Sequence, residues 1–198
     1  MPCPAVRSSG MARQVALLRG INVGGRKKVA MARLRELMEE LGYSEVRTYV
    51  NSGNVVFSGP EQPPLEVARR LEEQLATTFG FDIAVVVRSR EELAETVRAN
   101  PLGAIATDPA RHLVLFLAVE PEADRVPELD PAEIAPEAFH LLGREIHLWC
   151  PDGVNDSPLA KQMSEKRLGV TATARNWRTV EKLLALAEEG LDSEFPPT

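Results

Sequence analysis

Apolar and polar residues alternate with different periods along the first part of the chain, and each period predicts one kind of element. The segment QVALLRG at 14–20 holds a continuous apolar run that ends in arginine and glycine, which indicates a buried strand followed by a turn. Apolar residues then recur at spacings of three and four, which predicts one face of a helix: Met31, Leu34, Leu37, Met38 and Leu41. Gly42 is placed to end that helix.

The following segments continue this alternation of strands and helices. SEVRTYV and NVVFSG are rich in β-branched and aromatic residues and flank the turn sequence NSGN, so they predict a hairpin. A helical stripe over 65–79 and the strand FDIAVVVRS complete the order β-α-β-β-α-β. That order is the split βαβ pattern of ferredoxin-like folds, which predicts an antiparallel sheet with helices on one face. We assign this first unit to residues 13–90.

The second half nearly repeats the order without repeating the sequence. A helix and loop at 91–111 connect the halves, and the segments HLVLFLAV, EAFHLL, EIHLWC and VTATA predict strands of a second unit at 112–175. SPLAKQMSEKRLG predicts a helix, and a C-terminal helix follows at 176–190. Residues 1–12 and 191–198 are expected to be disordered tails. The fold class is therefore α+β, with two fused ferredoxin-like units, antiparallel sheets and a C-terminal helix.

The first hairpin sequence suggests a specific register. If Ser52 and Gly53 form a two-residue turn, Asn51 lies opposite Asn54. Thr48 and Val55 then share the apolar face of the hairpin, because alternate residues of a strand point to the same side.

The second hairpin suggests a histidine pair. With a two-residue turn at 143–144, His140 lies directly opposite His147 on the strand face that also carries Trp149. Two imidazoles alone make a poor metal site, so we expect an exposed cross-strand pair and no metal. Neither a CxxC pair nor a Ser-His-Asp set can be assembled from the sequence, and we expect no cofactor.

Charge is distributed unevenly along the chain. Net charge is −6, yet residues 1–35 hold eight basic residues and no acidic one. A uniformly basic nucleic-acid-binding protein would not show this pattern. A positive patch on an acidic body suits a small anionic ligand or an acidic partner, although it is also typical of a solvated helix face.

The basic patch includes a glycine-rich loop, LLRGINVGGRKK. Gly20 and Gly25 have the spacing of a P-loop, but Arg26 and Lys27 replace the lysine and the Ser/Thr that phosphate and magnesium binding require. We therefore do not expect this loop to hydrolyse nucleoside triphosphates. The loop still offers backbone N–H groups and cations to an anion, or it is simply a turn that needs glycine for positive φ.

A second basic segment, TARNWRTV, opens the last helix, with Asn176 as its cap and Thr179 three residues on. Trp177 is interpreted either as a core residue or as a stacking surface for a planar ligand. We expect the loop, the NSGN turn and this segment to meet and form a ligand site from Arg19, Asn22, Gly24, Gly25, Lys27, Lys28, Asn51, Ser52, Asn54, Arg175, Asn176 and Trp177.

Three blocks together resemble one known family. ALLRGINVGGRKKVAMARLRELMEELG, VRTYVNSGNVVF and ATARNWRTVEKL are similar to the motifs of the DUF1697 family of small, mostly bacterial proteins, over about Val15 to Leu186. The resemblance implies two fused ferredoxin-like units and little about function. Recurrent motif positions of the family correspond to Arg19, Gly20, Asn22, Gly24, Gly25, Ser52, Gly53, Asn54, Arg175, Asn176 and Trp177. Arg178 departs from the family pattern, which has asparagine there.

The sequence leaves three function classes open. The first is a binding module for an anionic ligand, namely a nucleotide, a phosphorylated metabolite or single-stranded nucleic acid. The second is an enzyme acting on a phosphorylated or carboxylated small molecule, for which no nucleophile or base is evident. The third is an assembly protein whose sheet faces, bearing Tyr49, His140, His147 and Trp149, pair with a partner. With no apolar run of membrane-spanning length and no secretory signal, we expect a cytoplasmic protein without membrane partners.

Overall fold

The computed structural model describes residues 10–189, which form two four-stranded antiparallel sheets with helices. The first unit has strand order β2-β3-β1-β4. Its elements are β1 (Met11–Leu18), α1 (Met31–Glu40), β2 (Ser44–Tyr49), β3 (Asn54–Pro60), α2 (Pro64–Phe79) and β4 (Val85–Ser89). The order of elements and strands is that of a ferredoxin-like unit, as the sequence predicts.

The second sheet has the equivalent strand order, β6-β7-β5-β8. Its elements are α3 (Arg90–Arg98), β5 (His112–Leu117), a 3₁₀ turn (Ala123–Arg125), α4 (Pro131–Ile134), β6 (Ala138–Leu142), β7 (Glu145–Trp149), α5 (Pro158–Gln162), α6 (Glu165–Leu168), β8 (Ala172–Asn176) and α7 (Trp177–Glu188). Two ferredoxin-like units and a C-terminal helix are thus confirmed. The single helix expected from SPLAKQMSEKRLG is instead two short helices, with Ser164 as the N-cap of the second.

The chain termini need one correction. β1 begins at Met11, so residues 11 and 12, which the sequence pattern assigned to a tail, pair with Gly59 and Pro60 of β3. Residues 1–9 and 191–198 of the expected tails, and residue 190, the last one expected in the C-terminal helix, lie outside the described part of the chain.

The register expected for the first hairpin is wrong by two residues. Tyr49, not Asn51, lies opposite Asn54, and a four-residue turn at 50–53 joins the strands. The Asn54 side chain stabilises this wider turn, because its Nδ2 donates to the Tyr49 carbonyl (3.1 Å) and to the Ser52 hydroxyl (2.9 Å). A shift of two residues preserves the strand faces, so Thr48 and Val55 still share one side.

A first hydrophobic core fills the space between the first sheet and its two helices. Ala16, Leu18 and Phe57 of the sheet pack against the apolar stripes of α1 and α2, whose buried residues include Leu34, Met38, Leu71 and Leu75. Each helix is held by the 3–4 spacing of its apolar residues, as in any surface helix of a globular protein. This layer fixes the position at which α1 begins.

A second core lies between the two sheets. The expectation that helices cover only one face of a sheet is therefore wrong, because helices also pack in this core. Val15, Leu17 and Val56 of the first sheet share this core with Val114 and Phe116 of the second sheet. The helices α3 and α7, which pack on each other, contribute Leu93, Val180, Leu183 and Ala187. The inner face of each sheet is therefore covered by the other sheet and by α3 and α7, the helices that follow β4 and β8.

Candidate functional site

The loop between β1 and α1 is held by one asparagine. Asn22 donates from Nδ2 to the carbonyls of Val29 and Asn51, both at 2.9 Å, and its Oδ1 accepts from the Val29 amide at 2.9 Å. Its own backbone N–H donates to the Lys27 carbonyl. The Asn22 side chain thus closes the loop and fastens it to the 50–53 turn. Two of the three predicted segments, 19–28 and 51–54, therefore meet in space.

This region concentrates unusual backbone conformations. Asn22, Lys27 and Val50 all have positive φ, at 56°, 44° and 50°, although none is glycine. A β-branched residue rarely adopts that conformation, and Val50 is also exposed. Such strain persists only where the surrounding structure enforces it, and it is concentrated at binding sites and active sites. Gly24 and Gly25, with φ of 58° and 75°, complete the turn of the loop.

An open depression of about 490 Å³ lies where this loop meets the start of α1. Helix α1 has Ala30 at its N-cap position, without a side-chain hydrogen bond and without an acidic residue in its first turn. The first N–H groups of the helix therefore keep their hydrogen-bonding capacity, and the helix dipole makes them favourable to an anion. The depression is lined by Asn22, Gly25, Lys28, Val29, Ala30, Met31 and Asn51.

The basic side chains of the loop differ in whether they have hydrogen-bond or ion-pair partners. Arg19 forms an ion pair with Glu165 of α6, so it links the two units. Lys27 donates from Nζ to the Asp82 carbonyl at 2.6 Å and lies over the Phe81 ring. Among residues 10–189, neither Arg26 nor Lys28 forms an ion pair, and both side chains are exposed. Lys28 lines the depression, and Arg26 lies beside it in the loop.

Arg175 reaches the 51–54 turn and the end of β1 from inside the protein. Its Nε donates to Asn54 Oδ1, and its Nη2 donates to the carbonyls of Leu18 (2.8 Å), Ser52 (3.2 Å) and Gly53 (3.4 Å). Its own strand supplies two further acceptors. The third predicted segment thus meets the 51–54 turn, but through a guanidinium that is already occupied, and its contact with Leu18 ends one residue before the 19–28 loop.

Burial explains the electrostatics of this arginine. Only 9% of Arg175 is exposed, and desolvation lowers the pKa of its guanidinium to about 10. Its partners are neutral oxygens, so the charge is stabilised by hydrogen bonds rather than by a carboxylate. We therefore assign Arg175 and the fully buried Asn54 to the contact between the units and leave them out of the ligand site. The sequence could not distinguish these roles, because the buried acceptors come from distant strands.

The remaining residues of the third segment have local partners. Asn176 caps α7 by accepting from the Thr179 amide at 3.0 Å, as the sequence predicts. Trp177 is half-buried and stacks on His112, with ring centroids 4.6 Å apart and planes 11° from parallel. This favours the core interpretation of Trp177 over a stacking surface for a ligand.

The histidine arrangement differs from the expected one. His140 does oppose His147 in the hairpin, as predicted. His147, however, is fully buried, and its Nδ1 lies 3.3 Å from Nε2 of His112 on β5. Burial lowers the pKa of His112 to about 4, and burial together with the nearby His112 and His140 lowers the pKa of His147 to about 4. The exposed cross-strand pair is therefore wrong for His147, because His147 lies opposite Val114, a residue of the core between the two sheets.

Residues 10–189 contain neither a metal-ligand cluster nor a membrane-spanning helix. No group of three or more His, Cys, Asp or Glu residues there could hold a metal ion. No helix in that range is long and apolar enough to cross a bilayer. Cys150 is a buried free thiol whose pKa is raised by desolvation, so it is not an activated nucleophile.

A family model described as a protein of unknown function, DUF1697, matches residues 11–147. The chain belongs to the DUF1697 family. The matched part of the chain includes the 19–28 loop, the 51–54 turn and both buried histidines, but not the 173–179 segment. DUF1697 membership therefore identifies the family without assigning an activity.

A solved structure supports the same arrangement of this DUF1697 protein. The conserved bacterial protein SP0830 from Streptococcus pneumoniae is similar, with a TM-score of 0.68 and 25% sequence identity. The similarity covers 90% of this chain and 100% of that chain, so both units take part. No curated protein matches the DUF1697 chain described here.

Proposed function

We propose that this protein binds a phosphorylated small molecule in the depression at the start of α1. The observation that carries the proposal is the uncapped N-terminus of α1 in a depression that Lys28 also lines, next to a loop fixed by Asn22. Backbone N–H groups at a helix start and nearby cations are the groups that bind phosphate in many proteins.

Binding is favoured over catalysis by the composition of this surface. Of the residues that line the depression, Lys28 is the only one with an ionisable side chain. The lining therefore holds no Asp, Glu, His, Cys, Ser or Tyr side chain that could act as a general base or a nucleophile. The arrangement supports recognition of an anion and offers no route for proton transfer.

A small ligand is favoured over single-stranded nucleic acid. Single-stranded binding combines a long positive groove with aromatic side chains on which bases stack. The lining of the depression holds no aromatic residue, and the protein as a whole has a net charge of −6. The assembly hypothesis is weakened, because two of the four residues named for it, His147 and Trp149, are buried rather than exposed.

A thermal-shift screen tests the proposal. The panel contains inorganic phosphate, phosphate monoesters and nucleotides, with sulfate and chloride as matched salts. A ligand present at 100 times its dissociation constant should raise the free energy of unfolding by about 2.7 kcal/mol. Lys28→Gln should reduce the shift, whereas Lys182→Gln on the exposed side of α7 should leave it unchanged. If no phosphate compound raises the melting temperature above its matched salt, the proposal is wrong.

A further inference from the structure

A second cleft lies between α3 and the β6–β7 hairpin, away from the start of α1. Its volume is about 500 Å³, within the range of small-molecule sites. One wall is a single face of α3, formed by Glu91, Glu92, Glu95, Thr96 and Ala99. The other wall is formed by Leu142, Arg144, Glu145 and His147 of the hairpin.

His147 contributes a buried atom that lacks a partner. Its side chain forms part of the cleft wall and is fully buried, and its Nε2 makes no hydrogen bond within the described residues. A buried polar atom without a partner is uncommon, because desolvation without a hydrogen bond is unfavourable. The other ring nitrogen, Nδ1, already lies 3.3 Å from Nε2 of His112. A ligand in the cleft would supply the missing hydrogen bond.

The charges around the cleft indicate the sign of that ligand. Its lining holds four glutamates and one arginine. Glu92 and Glu145 are neutralised from inside by Arg144 and Arg88. Glu91 and Glu95, one helical turn apart, are exposed and have partners only on α3 itself, namely Arg90 and Arg98. These ion pairs are exposed to solvent and contribute little, so a cation at the mouth of the cleft can replace Arg90 and Arg98 as the partner of the two carboxylates.

We propose that this cleft binds a small organic cation with an aliphatic body, of the primary amine or guanidine class. The aliphatic body packs against Ala99 and Leu142, and Glu91 and Glu95 neutralise the charge. An N–H group of the ligand donates to Nε2 of His147. This requires the His147 tautomer that carries its proton on Nδ1 and donates it to His112. The proposal is independent of the anion site and survives the failure of that site.

An NMR titration with agmatine and cadaverine tests the proposal, with hexanoate as the anion of similar size. We expect saturable changes in the side-chain ¹⁵N shift of His147 Nε2 and in the amide shifts of 91–99 with both amines. Hexanoate should produce neither change. Absence of a saturable response to both amines, or an equal response to hexanoate, would overturn the proposal.

Three variants locate the binding groups. Glu95→Gln should weaken amine binding about threefold, because one exposed charge contributes modestly. His147→Phe should weaken it about tenfold, because it removes the acceptor while keeping a ring. Glu66→Gln, on the exposed side of α2, should bind the amines as the unaltered protein does. If His147→Phe does not fold, the amine affinities of Glu95→Gln and Glu66→Gln are compared instead. Equal affinities in those two variants would contradict the proposal.

Discussion

Arg88 and Arg175 occupy equivalent positions in the two units, and each crosses to the sheet of the other unit. Arg175 on β8 donates to the carbonyl of Leu18 at the end of β1. Arg88 on β4 donates to the carbonyl of Leu117 at the end of β5, at 2.6 Å. Each also donates to a turn carbonyl of the facing hairpin, Gly53 or Arg144. The two units are therefore joined by a reciprocal pair of buried guanidiniums.

The partners of the two arginines differ at one atom. The Nε of Arg88 donates to the Glu145 carboxylate at 2.6 Å, whereas the Nε of Arg175 donates to the neutral Asn54 amide. Burial lowers the pKa of both guanidiniums, and the Glu145 charge offsets part of this effect for Arg88. The first contact is a buried ion pair, and the second is a charge held only by neutral acceptors.

Removal of either guanidinium should destabilise the whole fold. Arg175→Ala removes the donor to the buried Asn54 Oδ1 and to the Leu18 carbonyl, and Arg88→Ala leaves Glu145 without its counterion. We expect each to lower the free energy of unfolding by about 3 kcal/mol or more, measured by urea denaturation. The exposed Arg98→Ala should change it by less than about 0.5 kcal/mol. Losses below about 1 kcal/mol for both buried arginines would show that they do not join the units.

Gly53 is expected to be irreplaceable for two reasons. Its φ is 77°, and a Cβ atom there would lie 2.6 Å from Leu18 Cβ and 2.9 Å from Ile21 Cδ1. Gly143 in the equivalent hairpin turn has a φ of 57° with open space around it. Gly143→Ala should therefore cost only the positive-φ strain of about 1 kcal/mol, and Gly53→Ala about 2 kcal/mol more. Chemical denaturation of the two variants measures the difference, and equal losses would refute the steric argument.

The buried histidines should make stability depend on pH. Burial lowers the pKa of His112 and His147 to about 4, below the ordinary 6.5 of the unfolded chain. Their stabilising contribution is complete above about pH 6.5 and is lost as pH falls towards 4, because the unfolded state then binds protons more readily. Between pH 7 and 5 the two rings together should lower the free energy of unfolding by about 3 kcal/mol.

Denaturation of single-histidine variants at several pH values tests this dependence. His112→Gln should remove about half of the loss between pH 7 and 5. His140→Gln removes an exposed ring and should retain the full loss. If the unaltered protein, His112→Gln and His140→Gln all lose the same stability between pH 7 and 5, the pH dependence comes from other groups.

The fold was predictable because its determinants are local. The stripe of α1, the cap at Asn176 and the register that puts His140 opposite His147 all follow from short segments. The four-residue turn at 50–53 was not predictable in the same way. Its width depends on Asn54, which folds back onto Tyr49 and Ser52 and also accepts from Arg175, 121 residues away.

The site was predictable only in part, because some of its features are local in sequence and others depend on contacts between distant segments. The basic loop and the missing acids around Lys28 are visible in the sequence. Ala30 at the N-cap position, where Ser, Thr, Asp or Asn would be usual, was a signal that sequence reasoning missed. The His112–His147 contact joins neighbouring strands 35 residues apart, so it appears only once the strand order is known.

The central claim is that an anion binds where Lys28 lies beside the start of α1, with Arg26 of the same loop adding positive charge. An NMR titration with inorganic phosphate tests it most directly, because the proposed donors are the backbone amides of Met31 and Ala32. We expect saturable shifts of these two amides, and an affinity about tenfold lower in Arg26→Gln/Lys28→Gln than in the control Arg98→Gln/Lys182→Gln. Shifts that do not saturate, or an equal affinity in the two double variants, would contradict it.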